Sequence, residues 1–182
     1  MPTNLELVEH TRRALRENWG YMLGGFCQVL TEALLKQKMS QGYKVGEYNT
    51  KWGAYLRGFL GRRTTDCYGL IKGCVWWNGG DVIYVSHQDR NQEGAFEAAT
   101  EKGPLLGIPE IPGLCLYMNG HAGIYVGNGE LIECIGAPKG MTLARIVNGK
   151  VSGGSNFTHW FKDTFITYPA PISDLNTISC LH

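Results

Sequence analysis

The chain has 182 residues, of which 43% are hydrophobic and 18% charged, so it is expected to be one domain with a full core and not a disordered segment. Its formal net charge is +1 with no long run of one sign, which argues against a nucleic-acid groove and leaves the 17 basic residues as solvated surface. No apolar run approaches the roughly 20 residues that span a bilayer, so membrane insertion is not expected. The N-terminal stretch lacks a basic region followed by an unbroken apolar run, so no secretory signal is expected and the protein is read as made in the cytoplasm.

In chain order, residues 4–17 form the first predicted helix, with Leu5, Val8 and Leu15 on one side. The segment WGYMLGGFCQ from Trp19 to Gln28 carries Gly24-Gly25, which permits positive φ or a close approach, and reads as a turn between helices. Phe26, Val29, Leu30, Ala33 and Leu34 then keep the helical period and predict a second helix ending near Lys38. Residues 40–50 read as a loop, and Lys51–Leu60 as a short helix.

The stretch Arg62–Trp77 organises the rest. Cys67, Leu70, Ile71, Cys74 and Val75 recur at the spacing of a helix packed on a core, and Thr64, Thr65 and Asp66 stand where side-chain oxygens cap free amides. Cys67 is thereby expected in the first helical turn, where the helix dipole favours a thiolate and labelling at mildly acidic pH. The ordinary alternative is a buried structural cysteine.

Asn78-Gly79-Gly80-Asp81 is a turn signal, followed by the β-prone run Val82–Val85. A short helix over Gln92–Lys102 ends at Gly103-Pro104. From Ile111 onward the pattern is antiparallel sheet. Leu114–Met118, His121–Val126 and Leu131–Cys134 make a meander with turns at Asn119-Gly120 and Gly127-Asn128-Gly129. Met141–Val147 and Asp163–Tyr168 are two further expected strands, separated by a loop at 148–156. Helices first and sheet afterwards predict an α+β fold, helices packed on one side of an antiparallel sheet. The single domain is placed at 1–169, with an irregular tail at 170–182.

Six cysteines show no CxxC pair and no zinc-ligand spacing, so free thiols and no metal are expected. Among the five histidines, His10 lies on a charged helix, His87 in a polar loop, His159 beside a tryptophan, and His182 at the end. His121 opens a strand after a turn, and alternation puts it on one face with Gly123 and Tyr125. Pairing about Asn128 sets residue 121 opposite approximately residue 135, with Glu133 a diagonal neighbour on the same face. A carboxylate there can orient an imidazole, although a surface His–Glu pair has the same spacing.

DCYGLIKG resembles the nucleophile helix start of the NlpC-type family of cell-wall cysteine peptidases, which have a papain-like fold. HAGIYVGNGELIEC resembles that family's histidine strand and hairpin, IPGLCLYM the strand before it, and WGYMLGG its substrate segment. The resemblance spans roughly residues 19–134 in family order. It implies Cys67 as nucleophile, His121 as base and Glu133 as orienting residue. It also implies that Tyr21, Asp66 and Tyr68 line a pocket for a peptidoglycan stem peptide. Tyr68 stands where the family has serine, Leu23 where it has tryptophan, and Leu114 where it has aspartate, while Glu133 replaces the commoner histidine. A helical insertion over 26–60 is longer than usual.

The implied activity is hydrolysis of a bond involving γ-linked D-glutamate, with no cofactor, on the bacterial wall after release or export, as in a phage lysin. An amidase or acyltransferase, and a non-hydrolytic wall-binding or phage structural module, are the competing readings.

Overall fold

The computed structural model describes residues 1–169, and the expected tail at 170–182, with Cys180 and His182, lies outside the described residues. The fold is α+β, with helices packed on an antiparallel sheet. Thr3 caps α1 (Asn4–Arg16) through a capping box with Glu6. The buried stripe of α1 is Asn4, Leu7, Thr11 and Ala14; Val8 and Leu15 of the expected face are half-buried against the same core, whereas Leu5 is exposed, so the helix is rotated slightly from that face. The rotation brings His10, between Leu7 and Ala14, onto the inward side.

The segment expected as a turn between helices is instead two short strands, β1 (Gly20–Tyr21) and β2 (Phe26–Val29). Both pair with β3 (Arg63–Thr65), which sits centrally in a three-stranded sheet. Phe26 and Val29 therefore match a helical period by coincidence, and the helix they seemed to open is α2 (Glu32–Ser40), capped by Thr31. The expected loop at 40–50 is largely α3 (Tyr43–Lys51), and α4 (Gly53–Arg57) follows. Met22, Leu30, Leu35 and Leu56 form a separate small core under these helices. The insertion is thus a strand followed by three helices.

After β3 the chain turns into α5 (Gly69–Val75). The run at 82–85 makes no strand; Val82 forms an isolated bridge to Trp77. Next come α6 (Gln92–Ala98), shorter than expected, and β4 (Lys102–Pro104) in place of the helix end. The meander holds as β5 (Cys115–Met118), β6 (His121–Gly127) and β7 (Glu130–Ile135), continued by β8 (Gly140–Val147). Within the expected loop lies β9 (Lys150–Ser152), and the last strand is β10 (His159–Phe161) rather than 163–168, where Thr167 only bridges Thr3. The seven strands run in the order β4-β10-β5-β6-β7-β8-β9, and their pairings are antiparallel.

One sheet face carries Cys115, Ala122, Ile124, Val126, Ile132 and Cys134 against Leu7 and Ala14 of α1 and Leu70, Ile71 and Cys74 of α5. The opposite face is closed by Leu105, Leu114, Leu116, Tyr125, Leu131 and Phe157. With both faces covered, a strand can carry buried polar groups on one side and helix-packing residues on the other. Among the described residues, no helix is long and apolar enough to cross a membrane.

Candidate active site

Asp66 and Cys67 lie between the end of β3 and the start of α5. The Leu70 amide donates to the Asp66 carbonyl at 3.2 Å, and the Gly69 amide donates to Asp66 Oδ1 at 2.6 Å. Asp66 thus performs the capping role expected of it, and Cys67 precedes the helix by two residues. A second amide, that of Gly24, donates to Asp66 Oδ2 at 2.9 Å and ties the helix start to the β1–β2 turn. Gly69 is required here, because a Cβ would overlap the Gly25 carbonyl.

Burial raises the Asp66 pKa, opposed by Lys72, the two amides and Lys38. Burial also pushes the Cys67 thiol up, to about 12, and the neighbouring Asp66 adds to the rise. The amides of Ala122, Tyr68 and Cys67 itself act in the opposite sense. The thiolate expected from the helix dipole is therefore not the resting form, because desolvation outweighs a partial charge at the end of a seven-residue helix. Alkylation of Cys67 by iodoacetamide, followed by peptide mass spectrometry, is expected to climb throughout pH 7–10 without an acidic plateau. Asp66→Asn is expected to raise the rate about threefold at each pH by removing a nearby negative charge.

His121 begins β6, and the next residue is Ala122, whose amide is one of the three that favour the Cys67 thiolate. Ile124 pairs with Ile132, and continuing that register sets residue 121 opposite 135 and Glu133 opposite Gly123, as the turn geometry predicts. Gly127, Asn128 and Gly129 all have positive φ, of 92°, 55° and 71°, which fixes this tight turn. His121 Nε2 lies 2.6 Å from Glu133 Oε2. The other carboxylate oxygen of Glu133 accepts from the Ser155 amide at 2.7 Å. Phe157 stacks on the imidazole at 5.5 Å and 14°. A side chain at position 123 would strike the Phe157 ring at 2.7 Å, so Gly123 makes room for this contact.

Glu133 is completely buried, and burial alone would raise its pKa. The bonds from His121 and Ser155 prevail and hold the carboxyl below its ordinary value. An ionised Glu133 requires Nε2–H as the donor, which leaves Nδ1 with the lone pair. No hydrogen bond is made by His121 Nδ1 among the described residues.

A cleft of about 680 Å³ is lined by Tyr21, Asp66, Cys67 and Tyr68, and by Gly120 just before His121. All three residues expected on the substrate side thus share one cavity with the cysteine. Tyr68 has a second commitment, since its hydroxyl donates to Asp163 Oδ2 at 2.7 Å while Arg90 Nη2 donates to Asp163 Oδ1 at 2.7 Å. Asp163 also accepts from the Phe165 amide at 2.9 Å, and the Arg90 guanidinium lies 4.2 Å from the Phe165 ring centroid. Asp163→Ala would leave a partly buried guanidinium unpaired at the wall of the cleft. It is expected to lower stability by about 3–5 kcal/mol and the thermal midpoint by about 10 °C, measured by circular dichroism melting.

A thiol–imidazole contact joins Cys27 Sγ and His10 Nε2 at 3.5 Å. Burial, with Arg13 and Arg63 nearby, lowers the His10 pKa to about 4, and burial raises that of Cys27. Cys27 is completely enclosed, so this pair is structural. Among the described residues, no group of three or more His, Cys, Asp or Glu side chains is arranged to hold a metal ion, and five cysteines are free thiols.

Fold and site together define an α+β protein with a cysteine just ahead of a helix and, on a strand that reaches the same cleft, a histidine bonded to a buried glutamate. Comparisons with protein-family models, with curated proteins and with solved structures find no match.

Proposed function

We propose that the protein is a cysteine peptidase of the NlpC type that cleaves peptidoglycan stem peptides, at a bond involving γ-linked D-glutamate. The observation that carries this reading is the 2.6 Å His121–Glu133 bond, with Gly120, the residue before His121, lining the same cleft as Cys67, a cavity able to hold a short peptide. The substrate class rests on the resemblance of the segments around Tyr21, Asp66, Cys67 and His121 to that family.

In the mechanism, His121 Nδ1 takes the Cys67 proton as the sulfur attacks the scissile carbonyl, because the thiol begins neutral. Glu133 keeps Nε2–H oriented and stabilises the imidazolium. The amides around the sulfur, including that of Cys67, are the donors for the developing oxyanion. His121 then protonates the leaving amine, and water hydrolyses the thioester. No cofactor enters these steps.

A binding module that holds the same peptide without cleaving it is the second reading, favoured by the neutral resting state of Cys67. Incubation of the purified protein with bacterial sacculi, followed by mass spectrometry of the soluble fraction, separates the two. The expected result is fragments with new stem-peptide termini that name the bond. Protein that sediments with the sacculi and releases nothing would establish the binding module.

A further inference from the structure

The inserted helices are fastened to the cleft at several points. Asn49 of α3 is completely buried and brackets Leu23, accepting from its amide at 3.1 Å and donating to its carbonyl at 2.9 Å. Lys38 of α2 donates to the Gly24 carbonyl at 2.6 Å, next to the amide that holds Asp66. The Tyr48 ring packs edge-on to Tyr21 at 5.6 Å, and its hydroxyl accepts from the Ala137 amide at 2.8 Å. The first turn of α3 then places Lys44 and Val45 in the lining of the Cys67 cleft, beside Leu23.

The charges in that lining are unequal in their commitments. Lys72 is paired with Asp89 at 2.7 Å, and Arg90 with Asp163. Asp66 is held by two backbone amides and has Lys38 and Lys72 nearby. Lys44 is exposed and makes no ion pair among the described residues. Among the described residues, the cleft thus offers one uncommitted cation, next to the apolar flank of Leu23 and Val45.

We infer that the insertion is the specificity element of the Cys67 cleft, with Lys44 selecting ligands that carry a carboxylate and Val45 and Leu23 contacting the aliphatic portion before it. This rests on the reading of Cys67 as the reactive centre and adds the residue that chooses among its substrates. Lys44 acts by Coulombic attraction through solvent, so its effect is modest and falls with salt.

Two readouts test it. Cys67 is alkylated in parallel with iodoacetate, an anion, and iodoacetamide, its neutral amide, and both products are quantified at the Cys67 peptide. Taking the ratio of the rates cancels the thiolate fraction. The ratio is expected to fall about twofold in Lys44→Gln and about fourfold in Lys44→Glu at low ionic strength, with the difference lost near 1 M salt. On stem peptides, kcat/KM is expected to favour a free side carboxylate over its amide in the wild type and to lose that preference in Lys44→Glu.

An unchanged alkylation ratio in both variants overturns the inference. A shifted ratio with no peptide cleaved by any form supports the anion-selective cleft and removes the peptidase reading. Failure of either reagent to reach Cys67 overturns both.

Discussion

Replacing Cys67 with alanine is expected to lower stem-peptide hydrolysis by at least about 10⁴-fold while leaving the fold in place. The sulfur is the atom that forms the covalent bond, so no neighbouring group can substitute for it. Cys67 is 8% exposed, and its surroundings are fixed by backbone contacts that survive its truncation: the Gly69 and Gly24 amides on Asp66 and the Leu70 amide on the Asp66 carbonyl. Loss of one sulfur leaves a small void, a cost of about 1 kcal/mol. Turnover at saturating substrate, read alongside a thermal melt, checks both halves. Turnover within tenfold of the wild type would mean that Cys67 is not the nucleophile.

The second large effect is expected at Glu133. Each carboxylate oxygen has its own donor, His121 Nε2 on one and the Ser155 amide on the other. Glutamine offers only one acceptor oxygen, so Glu133→Gln must sacrifice one of these bonds or reverse the histidine tautomer. Hydrolysis is expected to fall about 10²–10³-fold, mainly in kcat. Glu133→Ala leaves both donors without their buried carboxylate and is expected to cost about 3–5 kcal/mol of stability.

The pH dependence follows from the direction of the Glu133 shift. Its folded pKa lies below the ordinary carboxyl value, so its contribution is complete above the unfolded pKa and is lost as pH falls through the folded value. The difference in thermal midpoint between wild type and Glu133→Gln is therefore expected to shrink as pH falls below about 4.5. A difference that persists undiminished well below about pH 4.5 would contradict the assignment of an ionised, bonded Glu133.

The meander and its register were legible because local chemistry dictates them. Gly127, Asn128 and Gly129 permit only a tight turn, and period-2 alternation on either side then puts His121 and Glu133 on a common face. Asp66 was equally readable as a cap. The three-stranded sheet was not. β1 has two residues and β3 three, too few for any alternation to stand out, and both exist through pairing with distant chain segments. Residues 43–51 carry Gly46 and polar side chains that suggest a loop, and α3 is helical because Asn49 and Tyr48 dock on the cleft wall.

Other features had a signal that the charge pattern concealed. His10 stands three residues after Leu7 and four before Ala14, on the stripe that faces the core, yet its charged neighbours suggested solvent. The state of Cys67 had no such signal, because helix position argues for a thiolate while the burial that reverses it depends on the complete fold. Phe157 on His121 and Asp163 under Tyr68 likewise arrive from distant loops whose sequence gives no period to follow.

Cys67 is expected to form the covalent intermediate. Rapid acid quenching of a single turnover with a stem-peptide substrate, followed by peptide mass spectrometry, tests it directly. A thioester with the mass of the acyl fragment is expected on the peptide containing Cys67 and on no other cysteine. Product that accumulates with no thioester at Cys67 at any quench time, and at the full rate in Cys67→Ala, would contradict it.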